Sequence, residues 1–522
     1  MNPALKKWLP LGVIVVVVAV IGIIAVVNSG GNDDEEVSGN TDSSADTSTD
    51  SGDSDGIGAP APTGEMPITY NEAKEDGTEG DYDWGDTCDT ETGLVKLPSV
   101  YAPPCVPVFD GEATEMGPGV TADTIKVVWY DTSAAGGTDA LLGDAGLEDT
   151  PEGELETYQQ FAEIFSSTME TYGRQFEIIP FTATGAFGDA VASLADAQQI
   201  ANDIQPFAVM GTALSDGGVF VSELARNEIP CIGCSGGLSE CTINENANFI
   251  WGLEPSGGQL IQLFNGWIEP GEDNTGLTGN AEFAGDPALA SQPRKFGLVH
   301  YDQDPPLSTV CPESIDFPED LIREPYLLDF ATMPQKSSEI AARLKSEGVT
   351  SVIYMGDPIM PTFLMGAATA IDYRPEWIFT GTVLTDTNTW GRMYDQDQMA
   401  HTFGVSQTGA PTTPDVGGTI KFYRWYFGED ATPPAPSGYA VLAAYLLPVA
   451  RGVHMAGPQL DPETFSKGLF RIPPSGGDPV NPQLSRGNWG FFPETDYNGV
   501  DDMAQIWWDA EAEGPDELGK VG

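Results

Sequence analysis

The apolar run 207–210 stops at Gly211, and Thr212 and Ser215 follow before a segment able to start a helix. Small hydroxyls and free backbone N–H groups at such a start suit an anion or a carboxylate. First-turn amides lack intrahelical partners, and the helix dipole favours negative charge there. Gly211 lets a ligand approach the main chain closely. Cys234-Ser235-Gly236-Gly237 ends the next apolar run in the same way. A serine there can equally cap a helix, and a glycine can simply turn the chain. Covalent chemistry has less support. We find no H-E-x-x-H and no G-x-x-x-x-G-K-[ST], and we take the chain to lack a G-x-S-x-G nucleophile elbow. His300, His401 and His454 lie far apart in sequence. A carboxylate pair on an α/β scaffold stays open as an enzymatic alternative.

The elements that would position these residues alternate in type. Strand patterns fall at 125–130, 176–181, 207–210 and 229–232, with helical apolar spacing between them. After a Gly- and Pro-rich insertion at 269–294 the alternation restarts. Strands are expected at 296–301, 326–330, 349–355 and 377–380, and helices at 337–348 and through Phe363, Leu364, Ala367 and Ile371. Such alternation, with β-rich runs apolar on both faces, is the mark of parallel sheets flanked by helices. A long helix follows at 439–457, with Pro448 inside it, and late strands are expected at 489–494 and in MAQIWWD.

The chain has 522 residues, too many for one core, and a net charge of −57 from 79 acids and 22 bases. Such a surface repels phosphates, which argues against nucleic acid as a partner. Lys6 and Lys7 precede a charge-free apolar run at 9–27. Its length fits a membrane-spanning helix, with a signal peptide, whose apolar region is usually about 7–15 residues, as the rival; the lysines place its start inside, so the rest of the chain lies outside. Residues 28–91 are rich in Asp, Ser, Thr and Gly and read as an acidic disordered tether.

The six cysteines, at 88, 105, 231, 234, 241 and 311, all fall on the outer side, where disulfides form. Cys88 and Cys105 bracket one short loop, and Cys234 and Cys241 bracket another; we expect each to pair. Fifteen connectivities are open to six cysteines. A zinc site on Cys231, Cys234 and Cys241 is the rival, but none of the histidines is near. No metal or cofactor is expected.

Four segments carry a likeness. They are GVTADTIKVVWY, DAVASLADAQQIANDIQPFAVMGT, RKFGLVHYDQD and AAYLLPVARGVHMAGPQLDPETFSKGLF. The chain resembles type I periplasmic-binding-protein folds, in the branched-chain amino-acid (Leu/Ile/Val) receptor group of ABC transporters. The likeness covers residues 119–510. It implies two doubly wound parallel-sheet lobes joined by a multi-strand hinge. Lobe 1 would take 119–264 and 385–475, and lobe 2 would take 265–384 and 476–510. Residues 92–118 form a Cys-containing lead-in, and 511–522 a tail. By resemblance, Thr212, Ser215, Ser235 and Gly236 hold a ligand carboxylate on the first lobe. Tyr301, Asp302, Asp357 and Asp386 lie at matching strand ends of the second. Asp131 and Thr132 are weaker candidates, and Trp390 and Tyr394 could wall the cleft.

Two departures matter. The group's usual acid for the ligand ammonium would align with Thr382 and Val383, and Asp386 comes a few residues late. The Ala-Thr of the group's second carboxylate loop is replaced by Gly236-Gly237. Both point away from a plain leucine-like ligand. The function expected is a membrane-anchored extracytoplasmic receptor that closes on a small polar solute and delivers it to an ABC permease. A sensor or surface module of the same fold is the alternative.

Overall fold

The structure is a computed structural model. It describes residues 66–132, 149–186, 188–211, 213, 216–235, 238, 240–270, 276–302, 321–329, 331–407, 418–476, 497, 502–514 and 518–522. The anchor expected at 9–27, the tether before residue 66, Cys311 and the strand expected at 489–494 lie outside these residues.

The tether expectation needs correcting over 66–91, which is folded. The helix Tyr70–Asp76 opens on a capping box: Thr69 accepts from the Glu72 N–H, and the Glu72 carboxylate accepts from the Thr69 N–H. Strands β1 (Cys88–Asp89) and β2 (Leu94–Val95) pair antiparallel. Cys88 and Cys105 are disulfide-bonded, as expected from their spacing. Trp84 meets Tyr70 edge-on at 5.1 Å between ring centres. Two aromatics and one covalent bridge thus give this segment a core that its acid-rich composition concealed. Val95, Leu97, Ala102 and Val106 continue from it into the core of the first lobe.

The first sheet consists of β3 (Thr124–Asp131), β4 (Gln175–Thr182), β5 (Ala208–Met210), β6 (Cys231–Ile232) and β7 (Ile250–Trp251). It is ordered β4-β3-β5-β6-β7 and parallel throughout. Val127, Val128, Trp129 and Tyr130 are all buried, which explains why β3 reads as a continuous apolar run. The helix Pro151–Thr168 begins at the Thr150 cap and buries Phe161, Ile164 and Phe165 against this sheet.

The second sheet repeats the order. Strands β8 (Phe296–Tyr301), β9 (Ile322–Tyr326), β10 (Ser351–Met355), β11 (Glu376–Phe379) and β12 (Thr402–Ser406) run parallel as β9-β8-β10-β11-β12. Two antiparallel strands, β13 (Ala504–Asp509) and β14 (Lys520–Val521), extend it beyond β12. Between β12 and β13 the chain returns to the first lobe. The helices Thr419–Phe427, Tyr439–Ala456 and Pro462–Phe470 put Phe422, Leu446, Val449, Val453 and Phe465 into its core. The helix Tyr439–Ala456 is long and apolar enough to cross a membrane, but its apolar residues pack inside the protein.

Several boundaries differ from expectation. Phe264 and Ile268, from the helix Gly257–Ile268, pack with the second sheet, so the first crossing comes near 252–256 and not at 264. The return falls after β12 and not at 385. Strand β14 draws part of the expected tail into the sheet. The strand expected at 326–330 lies at Ile322–Tyr326. It is an edge strand, so Pro325 and its charged neighbours are tolerated without a continuous apolar run.

Candidate functional site

Both sheets follow the doubly wound order in which the first strand lies between the second and the third. In such sheets a crevice opens beyond the C-terminal ends of the first and third strands, where successive connections leave in opposite directions. These ends are Asp131 and Gly211 in the first lobe, and Tyr301–Asp302 and Gly356–Asp357 in the second.

On the first lobe the structure brings Gly211, Asp131 and Ser235 to one end of the sheet. Gly211 has φ +88°, and a Cβ there would sit 2.8 Å from the Tyr130 carbonyl oxygen, so glycine is required. Ser235 and Asp131 are buried. Thr212, Ser215 and Gly236 lie outside the described residues. A residue missed by the sequence reading, Asp216, caps the next helix, Val219–Arg226. Its carboxylate accepts from the N–H groups of Gly218 (2.9 Å) and Phe220 (2.8 Å). Burial raises the Asp216 pKa against those hydrogen bonds. This helix start is therefore occupied by the protein's own carboxylate, which opposes the carboxylate-binding role expected of it. Aspartate followed by two glycines before an apolar helix was the available signal.

On the second lobe, Tyr301, Asp302, Asp357 and Asp386 collect around a tyrosine cluster. The Tyr301 ring packs against Tyr326, and the Asp302 N–H donates to the Tyr326 carbonyl at 2.9 Å. The Tyr326 hydroxyl donates to Asp357 Oδ2 at 2.6 Å. Asp357 Oδ1 accepts from the Ile359 and Met360 N–H groups at 2.7 and 3.0 Å, capping the helix Met360–Ala370. Asp357 thus positions its loop with both oxygens engaged, and burial raises its pKa.

Asp386 is different. It is 5 % exposed, and its Oδ1 has no hydrogen-bond partner among the described residues. Burial pushes its pKa up to about 6, although a hydrogen bond with Ser406 works in the other direction. The neighbouring Thr385 hydroxyl and the Tyr394 hydroxyl are also buried without partners among the described residues, and Tyr394 feels the charges of both Asp357 and Asp386. The loop carrying Asp386 leaves β11 through Gly381 (φ +71°), and Val383 and Leu384 follow at φ +49° and +61°. For a β-branched residue such as Val383 that conformation is costly, and it persists only where the surroundings hold it. Here the Thr382 hydroxyl bonds both the N–H and the carbonyl of Gly356, at 2.9 Å each. Trp390 and Tyr394 are buried in the second core, the packing role weighed for them beside the cleft wall.

Two sequence readings are corrected here. Gly233-Cys234-Ser235-Gly236-Gly237 does spell G-x-S-x-G. Its serine is nevertheless not paired with an imidazole. His454 bonds the Glu170 N–H and the Pro104 carbonyl, His300 lies against the Tyr301 carbonyl, and His401 sits beside Gly285 and Arg374. The expected pair Cys234–Cys241 does not form. Cys234 is bonded to Cys231, and Cys241 is disulfide-bonded too, so none of the three is a free thiolate for zinc. A bridge across three residues was not legible, because spacing alone favoured the longer loop.

A cavity of about 190 Å³ lies between Trp84, Val106 and residues 166–171. Those residues precede β4, so the cavity sits at the opposite pole from the strand ends described above and is not the candidate site.

The architecture is that of type I periplasmic binding proteins. The chain matches no protein-family model and no curated protein sequence. Among solved structures it is similar to an ABC-transporter solute-binding protein from R. palustris in complex with 4-hydroxybenzoate, at 12 % identity and a TM-score of 0.50, covering 77 % of this chain and 97 % of that one. A protein from Rhodopirellula baltica described as a possible leucine/isoleucine/valine-binding protein aligns at 11 % identity and a TM-score of 0.49, covering 77 % and 96 %. A fatty-acid ABC-transporter substrate-binding protein from Thermomonospora curvata aligns at 14 % identity and a TM-score of 0.48, covering 78 % and 93 %. The likeness to the R. palustris protein, at 12 % identity, shows the fold alone and leaves the ligand open.

Proposed function

We propose that this chain is an extracytoplasmic solute receptor. Its two sheet ends close on a small polar molecule rich in N–H donors, such as an ammonium or amide compound, and an ABC permease takes the molecule up. The observation that carries this reading is the buried Asp386 carboxylate, whose Oδ1 has no hydrogen-bond partner among the described residues. A buried acceptor without a donor costs about 1–3 kcal/mol, more when it is charged, and a ligand N–H relieves that cost. The acids capping both helix starts, Asp216 and Asp357, favour the same polarity of ligand and disfavour an anion. Ser235, Tyr301 and Asp302 complete the described part of the proposed site, and Thr212, Ser215 and Gly236 remain proposed for the first lobe. Closure at the hinge follows from the chain's three passages between the lobes.

The test is a thermal-shift screen against amino acids, polyamines, amides and small organic acids, since a ligand of the folded state alone raises the melting temperature. Amines or amides should shift the wild type. Asp386→Asn should weaken that response at least tenfold and leave the ligand-free protein folded. A response confined to organic acids, or unchanged in Asp386→Asn, refutes the assignment.

A further inference from the structure

We propose that the Cys231–Cys234 disulfide is a positioning clamp that fixes the two first-lobe loops against each other at Gly211 and Ser235. Strand β6 is two residues long, and its ladder with β5 ends at the pair Met210 and Ile232. One further rung, from the Gly211 N–H to the Ile232 carbonyl, closes the ladder, and among the described residues no backbone hydrogen bond joins the two loops past it. The bridge stands at this point. Cys231 and Cys234 are fully buried, and their sulfurs lie 3.5 and 3.2 Å from the Gly211 carbonyl oxygen. A disulfide sulfur has no proton to donate, so these are packing contacts that brace the carbonyl from below. The Gly211 N–H donates to the Ile232 carbonyl at 3.0 Å, inside the loop that the bridge closes.

The other side of the second loop is held as well. The N–H groups of Gly233 and Cys234 both donate to the Trp251 carbonyl, at 2.7 and 3.2 Å. A Cβ at Gly233 would fall 2.0 Å from the Tyr445 ring, so the turn fits closely against the helix Tyr439–Ala456. Ser235 follows the bridge directly, and Cys241 is disulfide-bonded further on. The stretch containing Ser235 is thus bounded by a covalent tie on each side. A side chain locked by neighbours that are themselves locked holds binding geometry better than a free loop does. Spanning only three residues, this bridge removes little chain entropy from the unfolded state, so local positioning is its larger effect.

The consequence for binding rests on the function proposed above, but the clamp can be measured without a ligand. Site-resolved hydrogen exchange on the full-length chain would compare the wild type with Cys231→Ala/Cys234→Ala. The amides of Gly211, Gly233 and Cys234 should exchange at least tenfold faster in the variant, with those of β8 and β10 unchanged. Unchanged exchange at Gly211 overturns the clamp. So does an equal acceleration in both sheets, which would make the bridge a general staple. If that variant does not fold, Cys231→Val/Cys234→Val, which removes the bridge, keeps the buried apolar volume and leaves the Cys241 bridge in place, gives the same readout. Either failure leaves the Asp386 assignment standing, because that is read from ligand shifts.

Discussion

Three buried aspartates share a sequence context, a strand end, yet do different things. Asp216 and Asp357 bond backbone N–H groups and cap helices, whereas Asp386 has an oxygen that no described residue satisfies. Their roles follow from their partners and not from residue type. Asp386 and His454 also make opposite contributions to pH dependence. The folded-state pKa of Asp386 is raised, so the folded chain holds its proton more tightly and this contribution to stability fades as pH rises through about 6. Asp386→Asn should therefore be more stable than the wild type at pH 7.5, by up to about 3 kcal/mol, with the difference vanishing by pH 4 in urea titrations. If Asp386 binds the solute as proposed, solute affinity should fall below pH 6. His454 is held neutral by burial, with its pKa lowered to about 4. The unfolded chain takes up this proton first, so stability falls as pH drops from about 6.5 to 4. His454→Gln should flatten that limb of the stability curve while leaving the limb above pH 6.5 intact.

At the scale of single elements, Gly211 is the sharpest test of the first loop. Gly211→Ala must take φ +88° and press a methyl against the Tyr130 carbonyl, so it should lose more than about 1 kcal/mol on chemical denaturation. A neutral effect would mean that the loop relaxes freely, which contradicts its described packing. Elements of this kind were legible where burial on both faces wrote a continuous apolar run, as in β3 and β10. They were illegible where a sheet edge relaxed that demand, as in β9, whose strand holds Pro325 while the apolar Leu327 and Leu328 lie just beyond it. Strand β12 was missed because Gly404 interrupts it; glycine is needed there, since a Cβ would sit 2.0 Å from the Phe379 carbonyl. The candidate site was half legible. Strand ends could be placed from periodicity, but which oxygen lacked a donor depends on contacts between distant segments, such as Tyr326 with Asp357.

For the whole molecule, the folded lead-in changes where the chain can be shortened. Removing residues 1–65 should leave the melting temperature unchanged within a degree or two. Removing 1–110 takes away Val95, Leu97 and Val106 from the first core, each worth about 1.5–3 kcal/mol when buried, together with Ala102 and the Pro104 partner of His454. Against a total stability of about 5–15 kcal/mol, that truncation should give an aggregating or molten protein by near-ultraviolet circular dichroism. A native-like 111–522 fragment would show that the lead-in is dispensable.

The lead-in also decides how the molecule would bear a pull. The first described residues are fastened at the amino pole of the first lobe, where Arg471 grips the Pro67 carbonyl and the Glu72 carboxylate and Phe109 packs on Tyr172. Traction arriving through Met66 would load that rivet, at the pole opposite the strand ends of the proposed site.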